Sequence, residues 1–193
     1  IVNLSQSGDI IWEKNYGGTN TEIAHEVKEI IGEGYIIASD SKSNDGDVGG
    51  NNGDMDFWIL KVDYNGNIIW EKDFSSITNF WIANNFLYII NNDNILSCIE
   101  INKGLIQWVQ NLPKYKKSKK KKGLIVYNNI VMANDKLLLI NNLNKMVIVS
   151  PLDGKIIRTI KLKYNVYDRP VFANGKMYFS RTSWLHTGLA RVY

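Results

Sequence analysis

One recurring phrase constrains the fold more than any other feature: a glycine turn that leads into apolar residues and then a tryptophan. Its four copies span residues 8–12, 66–70, 104–108 and 154–158, and Arg158 replaces tryptophan in the last copy. The glycines lie 58, 38 and 50 residues apart, a spacing typical of propeller blades and other repeat arrays. The sequence therefore predicts a repeat architecture.

A second repeat, out of phase with the first, predicts β-hairpins. In residues 81–89, 131–139 and 171–179, two apolar segments flank a turn built of Asn, Asp or Gly, residues that tolerate positive φ. These copies are 50 and 40 residues apart, and the ten residues 113–122, which are rich in lysine, account for the difference. We interpret residues 113–122 as an insertion in a loop.

The remaining pattern favours strands throughout. Residues 35–39, 57–62 and 68–74 are typical strands. Residues 21–31 are ambiguous, because their apolar residues also fit a helical stripe, but a four-stranded blade requires a strand there. We predict an all-β fold, a β-propeller of four-stranded antiparallel blades.

At about 40–50 residues per blade, the chain would hold about four blades of an incomplete propeller. It begins at Ile1 without an initiator methionine, signal peptide or membrane span, so we expect a fragment.

Charge divides the chain near residue 76. Residues 1–76 carry 5 basic and 14 acidic side chains, a net charge of −9, whereas residues 77–193 carry 18 and 5, a net charge of +13. Such asymmetry indicates two surfaces with different partners, or two sequences of different origin. We therefore expect an acidic domain, 1–76, a basic domain, 77–193, and a join near residues 75–79.

The acidic domain resembles the propeller-like repeats of large secreted bacterial surface proteins. The resemblance covers about residues 4–76 and is carried by residues 8–18, 34–38, 43–48 and 58–63, although Gly32-Glu33-Gly34-Tyr35 replaces the usual Asp-Gly-Gly-Tyr. It implies extracellular display or adhesion.

The basic domain resembles propeller repeats of the pyrroloquinoline-quinone (PQQ) type, through residues 101–108, 149–157 and 169–178. Taken together, residues 80–193 are most similar to the propeller lipoprotein of the outer-membrane β-barrel assembly machinery. That resemblance implies a non-catalytic scaffold at the periplasmic face of the outer membrane. The scaffold would need no cofactor and would hold the barrel-forming protein of the machinery through its surface loops.

Two other functions stay open. The first is a secreted, extracellular surface-repeat protein used for adhesion or glycan binding. The second is a degenerate quinoprotein dehydrogenase, which would bring a redox cofactor, calcium and usually a neighbouring cysteine pair. Cys98 is the lone cysteine, and it lies in an apparent strand where a small buried thiol is expected. His25 and His186 have no nucleophile motif beside them, so we predict that the chain is not an enzyme.

The tryptophans of the repeated phrase are expected to be structural. A tryptophan at a fixed place in a blade fills the wedge between neighbouring sheets. This role is assigned to Trp12, Trp70 and Trp108, while Arg158 predicts a blade that is held more weakly or packed differently. A sugar-stacking role for these rings is the alternative.

The lysine-rich segment is the main candidate for contact with anions. Its lysines are Lys114, Lys116, Lys117, Lys119, Lys120, Lys121 and Lys122. A run of this kind repels itself, stays solvated and attracts phosphates or anionic lipids. Because it lacks interleaved stacking residues, we expect a solvated loop, or contact with lipid or an acidic partner, and no specific nucleic-acid site.

A weak calcium candidate lies in the glycine-rich loop of the acidic domain. Its carboxylates are Asp45, Asp47, Asp54 and Asp56, and clustered carboxylate oxygens suit calcium. The spacing is not that of the helix–loop–helix calcium motif, and a polar loop rich in turn residues is the alternative.

Overall fold

The structure is a computed structural model that describes residues 1–51, 54–74, 77–163, 166, 170–173, 176–183 and 186–192. Within these ranges the regular structure consists of strands and one short 3-10 helix, Ser118–Lys120. The strands are β1 Val2–Leu4, β2 Ile10–Glu13, β3 Glu22–Ile30, β4 Gly34–Ser41, β5 Asp56–Val62, β6 Ile68–Phe74, β7 Ile77–Ala83, β8 Phe86–Asn91, β9 Ile95–Glu100, β10 Leu105–Asn111, β11 Tyr115–Lys117, β12 Lys122–Leu124, β13 Tyr127–Ala133, β14 Lys136–Asn141, β15 Lys145–Val149, β16 Ile156–Lys161, β17 Val171–Ala173, β18 Lys176–Ser183 and β19 His186–Val192. The all-β prediction is confirmed.

The strands form consecutive sheets in chain order. Across the described residues, three sheets have four strands each: β3 to β6, β7 to β10 and β13 to β16. Smaller sheets are formed by β1 with β2, by β11 with β12, and by β17, β18 and β19. Neighbouring strands of the first and third large sheets pair antiparallel throughout. The predicted four-stranded antiparallel blades are therefore confirmed.

The ambiguous segment 21–31 forms strand β3, as the blade argument predicted. It pairs antiparallel with β4 from Glu22 opposite Ser41 to Ile30 opposite Gly34, with a bulge between Ala24 and Glu26. Pairing with β4 supplies hydrogen-bond partners along one edge of this segment. The apolar spacing that also fits a helix is overridden by this tertiary pairing.

The repeated hairpins have the turn chemistry that the sequence predicted. Asn84, between β7 and β8, has φ 52°, and Asn134 and Asp135, between β13 and β14, have φ 46° and 52°. Positive φ in a two-residue loop matches the twist of the flanking strands. The turn of the third copy, at residues 174–175, lies outside the described residues, as do residues 75–76 at the predicted join.

The chain folds into two compact units. The first unit comprises Ile1–Ile77 and Glu100–Leu105, and the second comprises Thr78–Ile99 and Ile106–Tyr193. The turn between β9 and β10 thus belongs to the first unit. That turn carries the contacts of Trp70 and Lys61 described below.

The core of the second unit is built from both faces of its central strands. Side chains of β14 alternate between two hydrophobic clusters: Leu137 and Leu139 join one, and Leu138 and Ile140 join the other. This is the two-residue period of a strand buried on both faces. The outer strands β10 and β16 are mostly exposed.

In the first unit, β5 is buried along its whole length. Trp58, Leu60 and Val62 of β5 pack with Ile37 and Val48. In the described part of the chain, no helix is long and apolar enough to cross a membrane.

Candidate functional site

Each tryptophan of the repeated phrase is bonded to the turn that opens the next copy of the phrase. The indole N–H of Trp12 donates to the carbonyl oxygen of Tyr64 at 2.7 Å, and that of Trp70 donates to Ile101 at 2.7 Å. In the second unit, Trp108 donates to Pro151 at 2.9 Å. The acceptors lie two or three residues before Gly66, Gly104 and Gly154.

The glycine of each turn lies under the ring of the preceding tryptophan. A Cβ atom added to Gly66, Gly104 or Gly154 would lie 3.3, 3.0 or 2.6 Å from the nearest ring atom of Trp12, Trp70 or Trp108, respectively. These glycines also have φ between 65° and 75°, in the left-handed region that favours glycine. Glycine is therefore required at these turns for its conformation and for the space above it.

Further contacts join the end of the phrase to the next turn. The ammonium group of Lys14 donates to the side chain of Asn67 at 2.8 Å, and that of Lys72 donates to the carbonyl oxygen of Gly104 at 3.0 Å. Both lysines lie two residues after their tryptophan. Sequence reasoning missed these contacts, although the shared position of the two lysines was a usable signal.

Arg158 occupies the tryptophan position in β16 and is exposed, whereas the three tryptophans are each partly buried. It lies opposite Ile148 in the register of β15 and β16. The weaker packing predicted for this position stays a prediction.

A buried cation in the first unit holds two turns to β5. The side chain of Lys61 is 4% exposed, and its ammonium group contacts a carboxylate oxygen of Glu33 at 2.6 Å and the side-chain oxygen of Asn102 at 3.0 Å. The bond from Lys61 holds the pKa of Glu33 below its ordinary value. A buried charge needs this pairing, so the group is structural.

The glycine-rich loop between β4 and β5 is called the acidic loop below. Two of its carboxylates, those of Asp45 and Asp47, accept hydrogen bonds from the backbone of residues 17–19. Asp45 accepts a hydrogen bond from the backbone N–H of Thr19 at 2.9 Å, and Asp47 accepts one from Gly17 at 3.1 Å. The backbone N–H of Asp47 in turn donates to the carbonyl oxygen of Gly17 at 3.0 Å. The carboxylates of Asp45 and Asp47 therefore already have hydrogen-bond donors in residues 17–19.

The four calcium candidates are not gathered into a cation site. Asp54 accepts from the backbone of Met55 at 3.0 Å, and Asp56 is buried at the start of β5. Among the described residues, no three His, Cys, Asp or Glu side chains form a group that could hold a metal ion. Calcium binding by Asp45, Asp47, Asp54 and Asp56 stays a prediction.

The lysine-rich segment, expected as a loop, forms a two-stranded hairpin, β11 and β12, around the 3-10 turn. Tyr115 lies opposite Leu124, and Lys117 lies opposite Lys122. Residues 116–124 are all exposed, and the solvated state of the segment stays a prediction. We call residues 113–124 the lysine hairpin.

A cavity of about 360 Å³ opens in the second unit. Its walls include the rings of Phe86, Tyr88 and Trp108, with centroids 6.4 Å apart between the first two and 6.0 Å between the last two. Cys98 lines it as a buried free thiol, as predicted, and burial raises the pKa of that thiol to about 12. Asn84 supplies a polar group at the cavity.

The fold is shared with proteins of known structure. BamB from Moraxella catarrhalis matches with a TM-score of 0.55 at 12% identity, over 84% of this chain and 46% of that protein. The computationally designed proteins Ika4 and Ika8 match with TM-scores of 0.53 and 0.50 at 12% and 11% identity. The Ika4 match covers 82% of this chain and 84% of that one, and the Ika8 match covers 76% and 40%. The fold is thus that of an incomplete β-propeller, and the chain spans less than half of that BamB.

No curated protein matches the chain significantly. The family model of the outer membrane protein assembly factor BamB matches residues 1–110, more than half of the chain. The match includes the acidic segment and runs across residues 75–79. The chain therefore belongs to the family of the outer membrane protein assembly factor BamB.

Proposed function

We propose that this chain is part of a non-catalytic propeller scaffold of the bacterial cell envelope. The scaffold acts at the periplasmic face of the outer membrane and holds the barrel-forming protein of the assembly machinery through its loops. Membership of the BamB family supports this role.

The observation that carries the proposal is the way the repeated side chains are used. Trp12, Trp70 and Trp108 each hold the next turn of the repeat by a hydrogen bond and a ring contact. The repeated chemistry of the chain therefore serves packing. Much of the exposed charge lies in two connections, the acidic loop between β4 and β5 and the lysine hairpin, and such connections are where binding residues concentrate.

Contacts of the ionisable side chains support a role without catalysis. The Cys98 thiol is buried with a raised pKa, which keeps it in the unreactive protonated form. His25, in the bulge of β3 between Ala24 and Glu26, contacts Asp40 on β4 at 2.7 Å, and both side chains are partly exposed. We assign both to structure, and the quinoprotein alternative stays a prediction.

Site-specific cross-linking to the barrel-forming protein of the same bacterium tests the proposal. A photoreactive residue at Asn44, in the acidic loop, or at Asn92, between β8 and β9, is expected to give an adduct. The matched controls are Ile31 and Leu152, which are 91% and 87% exposed. Ile31 lies between the first and second strands of its sheet, and Leu152 lies between the third and fourth strands of its sheet. Both turns are at the end of the sheet opposite to the connection between its second and third strands, where Asn44 and Asn92 lie in their own sheets. Adducts from the control positions alone, or from none of the four, would overturn the proposal.

One observation favours glycan binding as a second candidate function. The cavity of the second unit combines aromatic rings with the side-chain amides of Asn84 and Gln107, groups that suit a sugar ring and its hydroxyls. Titration of tryptophan fluorescence with monosaccharides tests it. Gln107→Ala should weaken saturable quenching and Gln6→Ala, an exposed control in the first unit, should not. An equal response of the two variants would exclude the cavity as a sugar site.

A further inference from the structure

The lysine hairpin is held firmly to the fold at both of its ends. Leu112 before it and Ile125 after it are buried in a hydrophobic cluster of the second unit. Between them, the buried side-chain amide of Asn94 donates to the carbonyl oxygens of Pro113 at 3.2 Å and Ile125 at 2.8 Å. A segment anchored in this way presents its side chains in a fixed place.

A second turn holds the hairpin from the next sheet of the same unit. The backbone N–H of Asn142 donates to the carbonyl oxygen of Val126 at 3.0 Å, and its side-chain amide donates to Leu124 at 3.1 Å. In return, the N–H of Val126 donates to the side-chain oxygen of Asn142 at 3.1 Å. Both turns that contact the hairpin are of the kind that joins the second and third strands of a sheet.

Among the residues that the structure describes, six lysines of this anchored hairpin have no carboxylate partner. The ammonium group of Lys114 contacts the carboxylate of Asp93. Among the described residues, no carboxylate pairs with the others, which are Lys116, Lys117, Lys119, Lys120, Lys121 and Lys122. Residues 113–124 contain no acidic residue.

The strand pairing of the hairpin increases the electrostatic repulsion between its lysines. Lys117 and Lys122 lie directly opposite one another in the register of β11 and β12, and like charges at opposed positions destabilise a strand pair. Three further lysines occupy the tight turn between them. An external surface of negative charge would relieve this repulsion.

We propose that the lysine hairpin docks on an anionic phospholipid surface. Clusters of four to eight basic residues are typical of binding to anionic bilayers. Leu124 is 52% exposed and shares a hairpin face with Lys117 and Lys122, so an apolar side chain lies beside the charges. A bilayer accepts both groups, because the lysines bind headgroups while leucine enters the interface.

Nucleic acid fits this surface less well. The hairpin contains no arginine for bidentate contacts with phosphates or bases, and its one aromatic residue, Tyr115, is partly buried at the base. Stacking platforms are a main source of affinity for single strands. The inference stands independently of the scaffold function, since a lipid surface is not the protein partner proposed above.

Co-sedimentation of the full chain with phospholipid vesicles tests the inference. Vesicles that contain phosphatidylglycerol should bind it, and vesicles of phosphatidylcholine alone should not. Raising the salt from about 0.1 M to about 1 M, which shortens the Debye length from about 10 to about 3 Å, should release it. Failure to bind anionic vesicles at low salt would overturn the inference.

A matched pair of charge variants separates the hairpin from overall charge. The variant K119Q/K120Q/K121Q/K122Q and the control K103Q/K136Q/K145Q/K161Q each replace four exposed lysines and lower the formal net charge from +4 to 0. At about fivefold per lysine near an anionic surface, the hairpin variant should lose well over about tenfold in affinity, and the control much less. Equal losses would contradict a local docking surface.

A third variant tests the lipid itself. Leu124→Ser should weaken binding to anionic vesicles while leaving the binding of inorganic polyphosphate or duplex DNA unchanged, since only a bilayer accepts the apolar side chain. Tighter binding to DNA than to vesicles at the same salt would assign the hairpin to nucleic acid and overturn the inference. An equal effect of Leu124→Ser on all three ligands would do the same.

Discussion

The indole N–H of Trp70 donates a 2.7 Å hydrogen bond to the carbonyl oxygen of Ile101, 31 residues further along the chain. The same ring covers Gly104, which closes the turn. This relationship recurs from Trp12 to the turn at Gly66 and from Trp108 to the turn at Gly154. In these pairs the tryptophan at the end of one copy donates its N–H, and a carbonyl oxygen in the turn of the next copy accepts it.

Trp70→Phe keeps an aromatic ring and removes the indole N–H. Ile101 is fully buried, and leaving its carbonyl oxygen without this donor should lower the free energy of unfolding by about 1–3 kcal/mol. Trp70→Ala also loses the ring and should cost more, towards the about 3–5 kcal/mol typical of a buried tryptophan. Urea unfolding followed by circular dichroism measures both, and unchanged stability of Trp70→Phe would contradict the hydrogen bond.

Alanine substitutions of turn glycines should separate the energetic cost of a positive φ from the cost of a clash with a tryptophan ring. Gly32 has φ 81° and open space around it, whereas Gly104 and Gly154 combine positive φ with a tryptophan ring. Gly32→Ala should cost about 1 kcal/mol through conformation alone. Gly104→Ala should cost more, and Gly154→Ala, whose Cβ would lie 2.6 Å from the ring of Trp108, should cost the most. Equal costs at the three positions, measured by urea unfolding, would show that the rings do not lie on the glycines.

The Lys61–Glu33 pair should make stability depend on pH. Because the bond from Lys61 lowers the pKa of Glu33 from its ordinary value of 4.5, the pair stabilises the fold above that value. The stabilisation is lost as the pH falls through the lower pKa of the folded state. Urea unfolding between about pH 7 and pH 3 should show a shallower loss of stability in Glu33→Gln than in the unchanged protein. Glu26→Gln, which removes an exposed carboxylate of β3, is the control and should leave the slope nearly unchanged.

Asn94→Gly should loosen the lysine hairpin. Glycine keeps the backbone conformation of Asn94, φ 60°, but loses the amide that bonds Pro113 and Ile125. We expect a loss of about 1–3 kcal/mol and faster tryptic cleavage between residues 116 and 122. Asn144, with φ 55° in the corresponding turn of the next sheet, is the matched control. If Asn144→Gly sensitises the hairpin to trypsin equally, the anchoring role of Asn94 is wrong.

The strands and hairpins could be predicted because their signals are local. The Asn84 and Asn134 turns have positive φ as their residue types indicate, and β3 follows from the count of strands in a blade. The partner of each tryptophan could not be predicted, because the acceptor lies 31–52 residues away and only the fold brings the two together.

The ordered structure of the lysine hairpin also could not be predicted from local sequence. Seven lysines in nine residues predict a solvated loop, since charge repulsion opposes order. The order arises from residues outside the run, namely Leu112, Ile125 and Asn94, and none of these carries a signal for a hairpin. Lys61 is similar, because a lysine buried in β5 becomes explicable only when Glu33 and Asn102 are placed beside it.

The most direct test of the scaffold function is the binding of the full-length protein to the purified barrel-forming component of the assembly machinery of the same bacterium. Isothermal titration calorimetry is expected to show saturable binding with one-to-one stoichiometry. An unrelated β-barrel protein purified from the same membrane is the control and should give no heat of binding. Absence of binding to the barrel-forming component, or equal binding to both proteins, would contradict the scaffold function.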